Sequence, residues 1–450
     1  MIELLRAAAA AVPDRPAAIS PNRQLTYAAL TRQAEAAAAA LRARGIERFA
    51  VLEPELGATW ALMAAASLAG AEVCVYPIAA ADDAIVQLRD RLRHDTLVTT
   101  RSGVGDGVVR PEDLLEADDR LTDAPPRDNR RLLILTTGTS GEPKAAQHEW
   151  SRILRIANRI VPTPEHTWLL AYGLNQFGGL QILIHAAAAQ AALVAANSFQ
   201  PRDGLAAMRQ WGVTHASGTP TFWRFLLAEL RGDGGPRPAL QQVTLSGEAI
   251  PTALIEQLQA TFPAARISQI YAATEMGQGI TVRDGVAGLP LTVLDTDSND
   301  DVVFKVVDGE LWVRSKSSML GYFGQDTLDA DGWRATGDLV EVVDDRVLFR
   351  GRRTEVINVG GVKVHPLPIE ERVSKIDGVA LAHAFGRPSA LVGQIVALEV
   401  VPVAGTDEDG LRDAIRAACA TLAPAARPRS ITFVPTMDTA GNKLTRGNRP

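Results

Sequence analysis

Along residues 27–46 the apolar and small side chains Leu30, Ala34, Ala37 and Leu41 recur at spacings of four, three and four, which places them on one helical face. Thr26 stands where a cap belongs. The opening Met1-Ile2-Glu3-Leu4-Leu5-Arg6 reads as an amphipathic first helix, not a secretion signal, because Glu3 and Arg6 interrupt the apolar run and Asp14-Arg15-Pro16 follows. Short apolar runs at 132–136, 243–245 and 267–271 each end in small or polar residues. Their alternation with alanine-rich helical stretches predicts an α/β protein whose ligands gather at the carboxyl ends of the strands. Further on, 302–307 and 310–313 flank Asp308-Gly309, and 339–343 and 347–349 flank Asp344-Asp345, the pattern of β-hairpins. A smaller α+β unit is expected after that, with helices at 369–376 and 410–422, strands at 395–401 and 431–434, and a Pro/Arg-rich loop at 424–429. The boundary is placed near Arg353-Thr354, giving a large unit of 1–352 and a small one of 353–450.

With 450 residues, 46% hydrophobic and 22% charged, the chain is long enough to bury a large core in at least two domains. A net charge of -6 without a basic tail gives no nucleic-acid footprint, so no nucleic-acid partner is expected. Its apolar stretches are too short to span a bilayer. The two cysteines, Cys74 and Cys419, lack metal-ligand spacing and read as small buried residues in a reducing, cytoplasmic compartment.

The densest chemistry lies where the run Leu132-Leu133-Ile134-Leu135 passes into Thr136, Thr137, Gly138, Thr139, Ser140, Gly141, Glu142, Pro143 and Lys144. Glycines let backbone N–H groups approach an anion, hydroxyls add donors, and lysine brings a mobile positive charge, so the loop suits a phosphate tail. It is not Gly-x-x-x-x-Gly-Lys-Ser/Thr, since Lys144 is followed by Ala145, and a P-loop kinase or ATPase is disfavoured. The loop resembles the signature Thr-Ser/Thr-Gly-Ser/Thr-Ser/Thr-Gly-x-Pro-Lys of the adenylate-forming (ANL) superfamily, which includes acyl-CoA synthetases, peptide-synthetase adenylation domains and luciferases. Tyr271-Ala272-Ala273-Thr274-Glu275, Thr336-Gly337-Asp338, the run from Gly351-Arg352-Arg353-Thr354 to Gly360-Gly361, and Gly441-Asn442-Lys443-Leu444-Thr445-Arg446 follow in the order of that family's motifs. Leu25-Thr26-Tyr27 and Gly309-Glu310-Leu311-Trp312 extend the resemblance over nearly the whole chain.

The resemblance implies a large α/β domain with a β-hairpin-rich subdomain, followed by a small, rotating α+β domain. It implies ATP and Mg²⁺ as cofactors and an acid ligase that forms an acyl-adenylate and then a thioester. On that pattern Thr137, Thr139, Ser140 and Lys144 wrap the outer phosphates, Glu275 holds Mg²⁺ and Thr274 donates to the α-phosphate. Tyr271 and Ala272 meet adenine on one side and the Gly247-Glu248-Ala249 backbone on the other. Asp338 and Arg352 grip the ribose, and Lys443 is the catalytic lysine of adenylation, with Asn442 where relatives carry glycine. Thr354 occupies the hinge position, where most relatives have Asp or Lys; after rotation Gly360, Gly361 and Lys363 face the nucleotide.

The segment 172–179 resembles the region that lines the family's acyl pocket, which implies Asn175, Gln176 and Gly178 there; Phe177, His215, Ser217, Gly218 and Met276 are further candidates that read equally well as core residues. At the position aligned with Gln176, amino-acid-activating relatives carry Asp and many aryl or acyl ligases carry His. A neutral amide pairs poorly with an ammonium, which disfavours a free amino acid and favours another small carboxylic acid. No carrier domain follows Lys443 in the sequence, so coenzyme A is the expected acceptor, with an acyl carrier protein or a nitrogen nucleophile as alternatives. Arg427, Arg429 and Arg449 fit a nucleotide phosphate, an acidic carrier or plain solvent. A binder without catalysis is the competing reading from another class.

Overall fold

The computed structural model describes the chain apart from residues 123, 128–129, 138–142, 233, 295–299, 326–331, 404, 438, 441–442 and 445–450. Two mixed sheets dominate its first part. In one, parallel strands Pro16–Ser20, Ala192–Ala195, Thr167–Leu170, His215–Gly218, Gln242–Ser246 and Arg266–Tyr271 lie side by side, edged by antiparallel Arg23–Thr26 and Ile280–Val282. In the other, Val108–Val109, Thr96–Val98, Arg48–Val51, Glu72–Val75 and Arg131–Thr137 run parallel, and Pro143–Glu149 and Gly321–Tyr322 are added antiparallel. Helix Leu56–Ala69 is buried at every position, as a helix apolar on all sides must be, and packs against strands of both sheets.

The helix expected from residue 27 spans Tyr27–Ala43, and Thr26 caps it by accepting from the Ala29 N–H at 3.2 Å. Leu30, Ala34, Ala37 and Leu41 are all fully buried. A third, antiparallel sheet contains both expected hairpins, Val302–Val307 with Glu310–Ser315 and Arg334–Val343 with Arg346–Arg352. Asp308 and Gly309 both take positive φ, 51° and 74°, which the tight two-residue turn requires. The strand expected at 339–343 starts earlier, because Thr336-Gly337-Asp338 belongs to it.

After the single turn Arg353–Glu355, a further sheet is built from Ile357–Val359, Val362–Val364, Gly393–Pro402, Val379–Ser389 and Ser430–Phe433. Its helices, Pro366–Val373 and Glu408–Cys419, begin before the expected 369 and 410. Pro366 suits a first helical turn, and the Asp407 carboxylate accepts from the N–H groups of Asp409 and Gly410. The eleven-residue edge strand Val379–Ser389 was not expected; it carries Gly386 and Pro388, which an edge tolerates.

Candidate active site

Three sheets bring their strand ends together at one place. Tyr271 closes Arg266–Tyr271, beside Gln242–Ser246, whose next residue Gly247 turns with φ of 87°. The Tyr271 ring packs against Phe349 and Phe304, with centroids 4.9 and 5.8 Å away, and its hydroxyl donates to Asp338 Oδ2 at 2.6 Å. Asp338 and Arg352 are cross-strand partners in the hairpin sheet, with Arg352 Nε 3.2 Å from Asp338 Oδ1. Burial raises the Asp338 carboxyl above its ordinary value, and the Arg352 charge and the Tyr271 hydroxyl partly offset this. Burial and the neighbouring carboxylate push the Tyr271 phenol well upward, so it stays a donor.

Glu275 lies in the turn Thr274–Met276 directly after this strand, and its carboxylate repels that of Asp338 while attracting Arg352. The Tyr322 hydroxyl donates to Glu275 Oε1 at 2.6 Å, and Lys144 Nζ stands 5.2 Å from the centroid of the same ring. Tyr322 faces Ala146 across the sheet edge, two residues from Lys144, so the lysine reaches the ring diagonally over a small side chain. Gly277 fixes the end of the turn: its φ is 69°, and a Cβ there would stand 1.7 Å from the Ser317 carbonyl oxygen. Lys144, Glu275, Asp338, Arg352 and Tyr271 thus form one connected group, although 208 residues separate Lys144 from Arg352 in sequence.

The phosphate-loop candidates Gly138, Thr139, Ser140 and Gly141 lie outside the described residues, and for Thr137 and Lys443 only the backbone is described. Thr137 pairs with Pro143 and Thr136 with Lys144, so the strands on either side of the loop are antiparallel neighbours. The Lys443 backbone pairs with Ala440 in a short hairpin packed on helix Pro220–Gly232. The Glu248 carboxylate caps that helix, accepting from the Thr221 N–H and hydroxyl at 2.9 and 3.0 Å. Gly247, Glu248, Ala249 and Ala272 therefore lie at the strand ends beside Tyr271. Thr354 sits exposed between the last two sheets. Gly360 and Gly361 turn a hairpin with φ of 60° and 89°, and Lys363 is exposed on the following strand.

Of the acyl-pocket candidates, Asn175 and Gln176 precede helix Phe177–Ala189, which Phe177 and Gly178 begin, and Gln176 Oε1 is buried without a partner. Tyr172 donates to the Ser246 carbonyl at 3.3 Å and contacts Ser217, bringing Ser217 and Gly218 to the same edge. Two candidates lie elsewhere. His215 starts its strand at the opposite, amino end, stacked on His166 at 3.8 Å and near Trp168 at 4.8 Å, since the four-residue strand separates it from the ligand edge. Met276 points into the hairpin-sheet core with Phe304, Leu311 and Val347, where an unbranched apolar side chain fills space.

Sequence reasoning missed Tyr322 and His148. The first lies in a two-residue strand without periodicity. The second lies fully buried on Pro143–Glu149, stacked on Phe177 at 6.1 Å beside the Thr274 backbone, and neither ring nitrogen has a hydrogen-bond partner of good geometry. Among the described residues no group of three His, Cys, Asp or Glu side chains is placed to cage a metal, and no helix is long and apolar enough to cross a membrane. Glu275 alone fits a cation that takes its other ligands from phosphate oxygens and water, the usual arrangement for Mg²⁺.

Such a fold gathers at its strand ends an aromatic–carboxylate–guanidinium group linked through Glu275 and Tyr322 to a lysine, a donor set suited to a nucleotide. Residues 5–323 match the AMP-binding enzyme family and residues 368–443 its C-terminal domain. The chain belongs to this family, within the adenylate-forming ANL superfamily. It is 30% identical to phenyloxazoline synthase MbtB of Mycobacterium tuberculosis over 94% of its own length, but spans only 32% of that relative. It is 27% identical to a feruloyl-CoA synthase of an Amycolatopsis species, covering 97% of both chains. The crystal structure of anthranilate CoA ligase AuaEII with anthranoyl-AMP superposes with a TM-score of 0.86 at 18% identity, covering 99% of this chain and 95% of the other. A benzoate CoA ligase from Burkholderia xenovorans gives 0.83 at 19%, covering 99% and 98%.

Proposed function

We propose that the protein joins a small aromatic carboxylic acid to AMP with release of pyrophosphate, and then passes the acyl group to the thiol of coenzyme A. The observation that carries this reading is the connected group Lys144–Tyr322–Glu275–Arg352–Asp338–Tyr271, which offers separate cationic and anionic ends to one nucleotide. The Asp338 carboxylate accepts from the ribose hydroxyls, Arg352 flanks the sugar, and Tyr271 with the Gly247–Ala249 backbone encloses adenine. Lys144 and the loop before it attract the outer phosphates. Glu275 would hold Mg²⁺ together with phosphate oxygens and water, and the ion would supply neutralisation of the phosphate charge. One oxygen of the acid attacks the α-phosphorus, the bond to pyrophosphate breaks, and Lys443 from the small unit 353–450 stabilises the accumulating charge. That unit turns about Thr354, after which the coenzyme A sulfur bonds to the acyl carbon, the bond from that carbon to the AMP phosphate oxygen breaks, AMP leaves and the thiol proton passes to solvent.

Tyr172 and Phe177 give the acid pocket aromatic walls, and Gln176 carries no charge to hold an ammonium, in keeping with the aromatic acids for which the feruloyl, anthranilate and benzoate relatives are named. The feruloyl-CoA synthase, matched end to end, favours coenzyme A. A carrier-protein thiol is the second reading, favoured by the match to part of the much longer phenyloxazoline synthase. Acid-dependent exchange of labelled pyrophosphate into ATP across substituted benzoates and cinnamates tests adenylation, and thioester formation with coenzyme A tests the acceptor. Absence of exchange with every acid would refute the reading.

A further inference from the structure

We propose that Tyr322 is a positioning residue that holds Lys144 and Glu275 apart, leaving both charges free for a magnesium–nucleotide pair. The inference rests on the ligase reading above. Two opposite charges approach one side chain: the ammonium stands 5.2 Å from the ring centroid, while the carboxylate accepts the hydroxyl at 2.6 Å. Among the described residues no ion pair joins Lys144 to Glu275. The π face attracts the ammonium enough to place it but weakly enough to release it to phosphate. The hydroxyl engages Oε1 of the carboxylate and fixes the orientation of the whole group. Without this spacer, unlike charges so placed collapse together, and binding a nucleotide with its cation would first require breaking that pair.

The surroundings hold the spacer still. Gly321 and Tyr322 pair with Gln147 and Ala146, the Gln147 side-chain amide N–H donates to the Tyr322 backbone carbonyl at 3.1 Å, and Arg131 donates to the side-chain Oε1 of Gln147 at 2.6 Å. The Glu275 carbonyl accepts from the Met319 N–H at 3.1 Å, so the chain leading to Tyr322 is tied to the carboxylate's own backbone.

The test is calorimetric binding of ATP in the absence of acid, with Mg²⁺ or with chelator, to the wild type and to Tyr322→Phe, Tyr322→Leu, Glu275→Gln and the Tyr322→Leu/Glu275→Gln pair. Tyr322→Phe keeps the ring and loses the hydroxyl; its affinity for magnesium–ATP is expected to fall about 3- to 10-fold with metal-free binding unchanged. Tyr322→Leu should weaken metal-free binding about 2- to 5-fold as Lys144 closes on Glu275. Adding Glu275→Gln should restore it by a larger factor than the same substitution produces in the wild type, a coupling that general packing damage would not create. Thermal melts identify any variant that does not fold, and the near-isosteric Tyr322→Phe then decides alone. Wild-type magnesium–ATP affinity in Tyr322→Phe, or equal effects of Glu275→Gln in both backgrounds, would overturn the inference alone. Failure of the wild type to bind ATP at all would overturn it together with the ligase reading.

Discussion

Replacing His148 with leucine should make the protein's acid sensitivity measurably weaker. The imidazole is completely buried between the Phe177 ring and the Thr274 backbone. Burial is the main cause lowering its pKa to about 4; the Thr274 backbone opposes the shift, and the charges of Arg152 and Arg334 add to it. Above the ordinary value of 6.5 both folded and unfolded chains hold the ring neutral, and its contribution to stability is complete. As pH falls below 6.5 the unfolded chain takes up a proton that the folded chain refuses, so stability is lost until pH reaches about 4. At about pH 5 the unfolded group lies about 1.5 units below its ordinary pKa, which at about 1.4 kcal/mol per unit is about 2 kcal/mol. His148→Leu removes this term. At about pH 7.5 the exchange should be near neutral, because relief of two unpaired buried nitrogens offsets imperfect packing. Urea unfolding of both proteins at the two pH values gives the difference directly, since His94, His185 and His215, each also lowered to about 4, titrate in both. A stability difference that did not change with pH would refute the neutral, burial-dominated state of His148.

Asp338→Asn should raise the KM for ATP about 10- to 100-fold in pyrophosphate exchange, because the ribose hydroxyls lose a charged acceptor and Arg352 its partner; a KM within twofold of wild type would remove Asp338 from the nucleotide site. Gly277→Ala forces a Cβ against the Ser317 carbonyl at positive φ, and a loss of about 3 kcal/mol or more is expected by thermal or urea unfolding, whereas an unchanged melting temperature would contradict the tightness of that turn. Lys443→Ala should lower exchange by at least about 100-fold while sparing thioester formation from pre-made acyl-adenylate, and equal loss of both steps would contradict its assignment to adenylation.

The sequence made the fold's periodic parts legible. Thr26 and the face Leu30, Ala34, Ala37 and Leu41 are local features, and turns such as Asp308-Gly309 announce themselves by composition, so their elements stand as expected. Tyr271, Asp338 and Arg352 were grouped by motif, and the structure supplies the physical reason: adjacent strand ends and a cross-strand pair. Tyr322 was not legible, because its meaning depends on a two-residue edge strand that pairs across 175 residues of sequence. His148 was hidden by its position two residues before a buried tryptophan, where an imidazole and an apolar side chain fit the same strand pattern. His215 and Met276 read equally well as pocket or core residues in the sequence; the structure puts His215 at the amino end of its strand and turns Met276, in the short turn after Tyr271, into the hairpin-sheet core.

Helix Pro220–Gly232 links the strand edge at Gly247 and Glu248 to the last sheet in a way that no single motif reveals. Its first turn is bound to Glu248, directly after Gly247, while Phe225 inserts among Leu381, Val401 and Met437, and the Lys443 hairpin packs along the same helix. Between these contacts lies a crevice lined by Thr221, Arg224, Glu248, Leu367 and Glu371. An apolar contact built on one phenylalanine and three buried residues is small beside the continuous cores on either side of it. Contacts of that size join units that separate without unfolding. The helix therefore keeps its place through Glu248 and its own packed face, Phe222, Trp223, Leu226 and Leu227, whatever becomes of the contact at Phe225. That division of labour fits the proposed function, in which the edge at Tyr271 and Gly247 holds adenine while the strand bearing Lys443 approaches and withdraws.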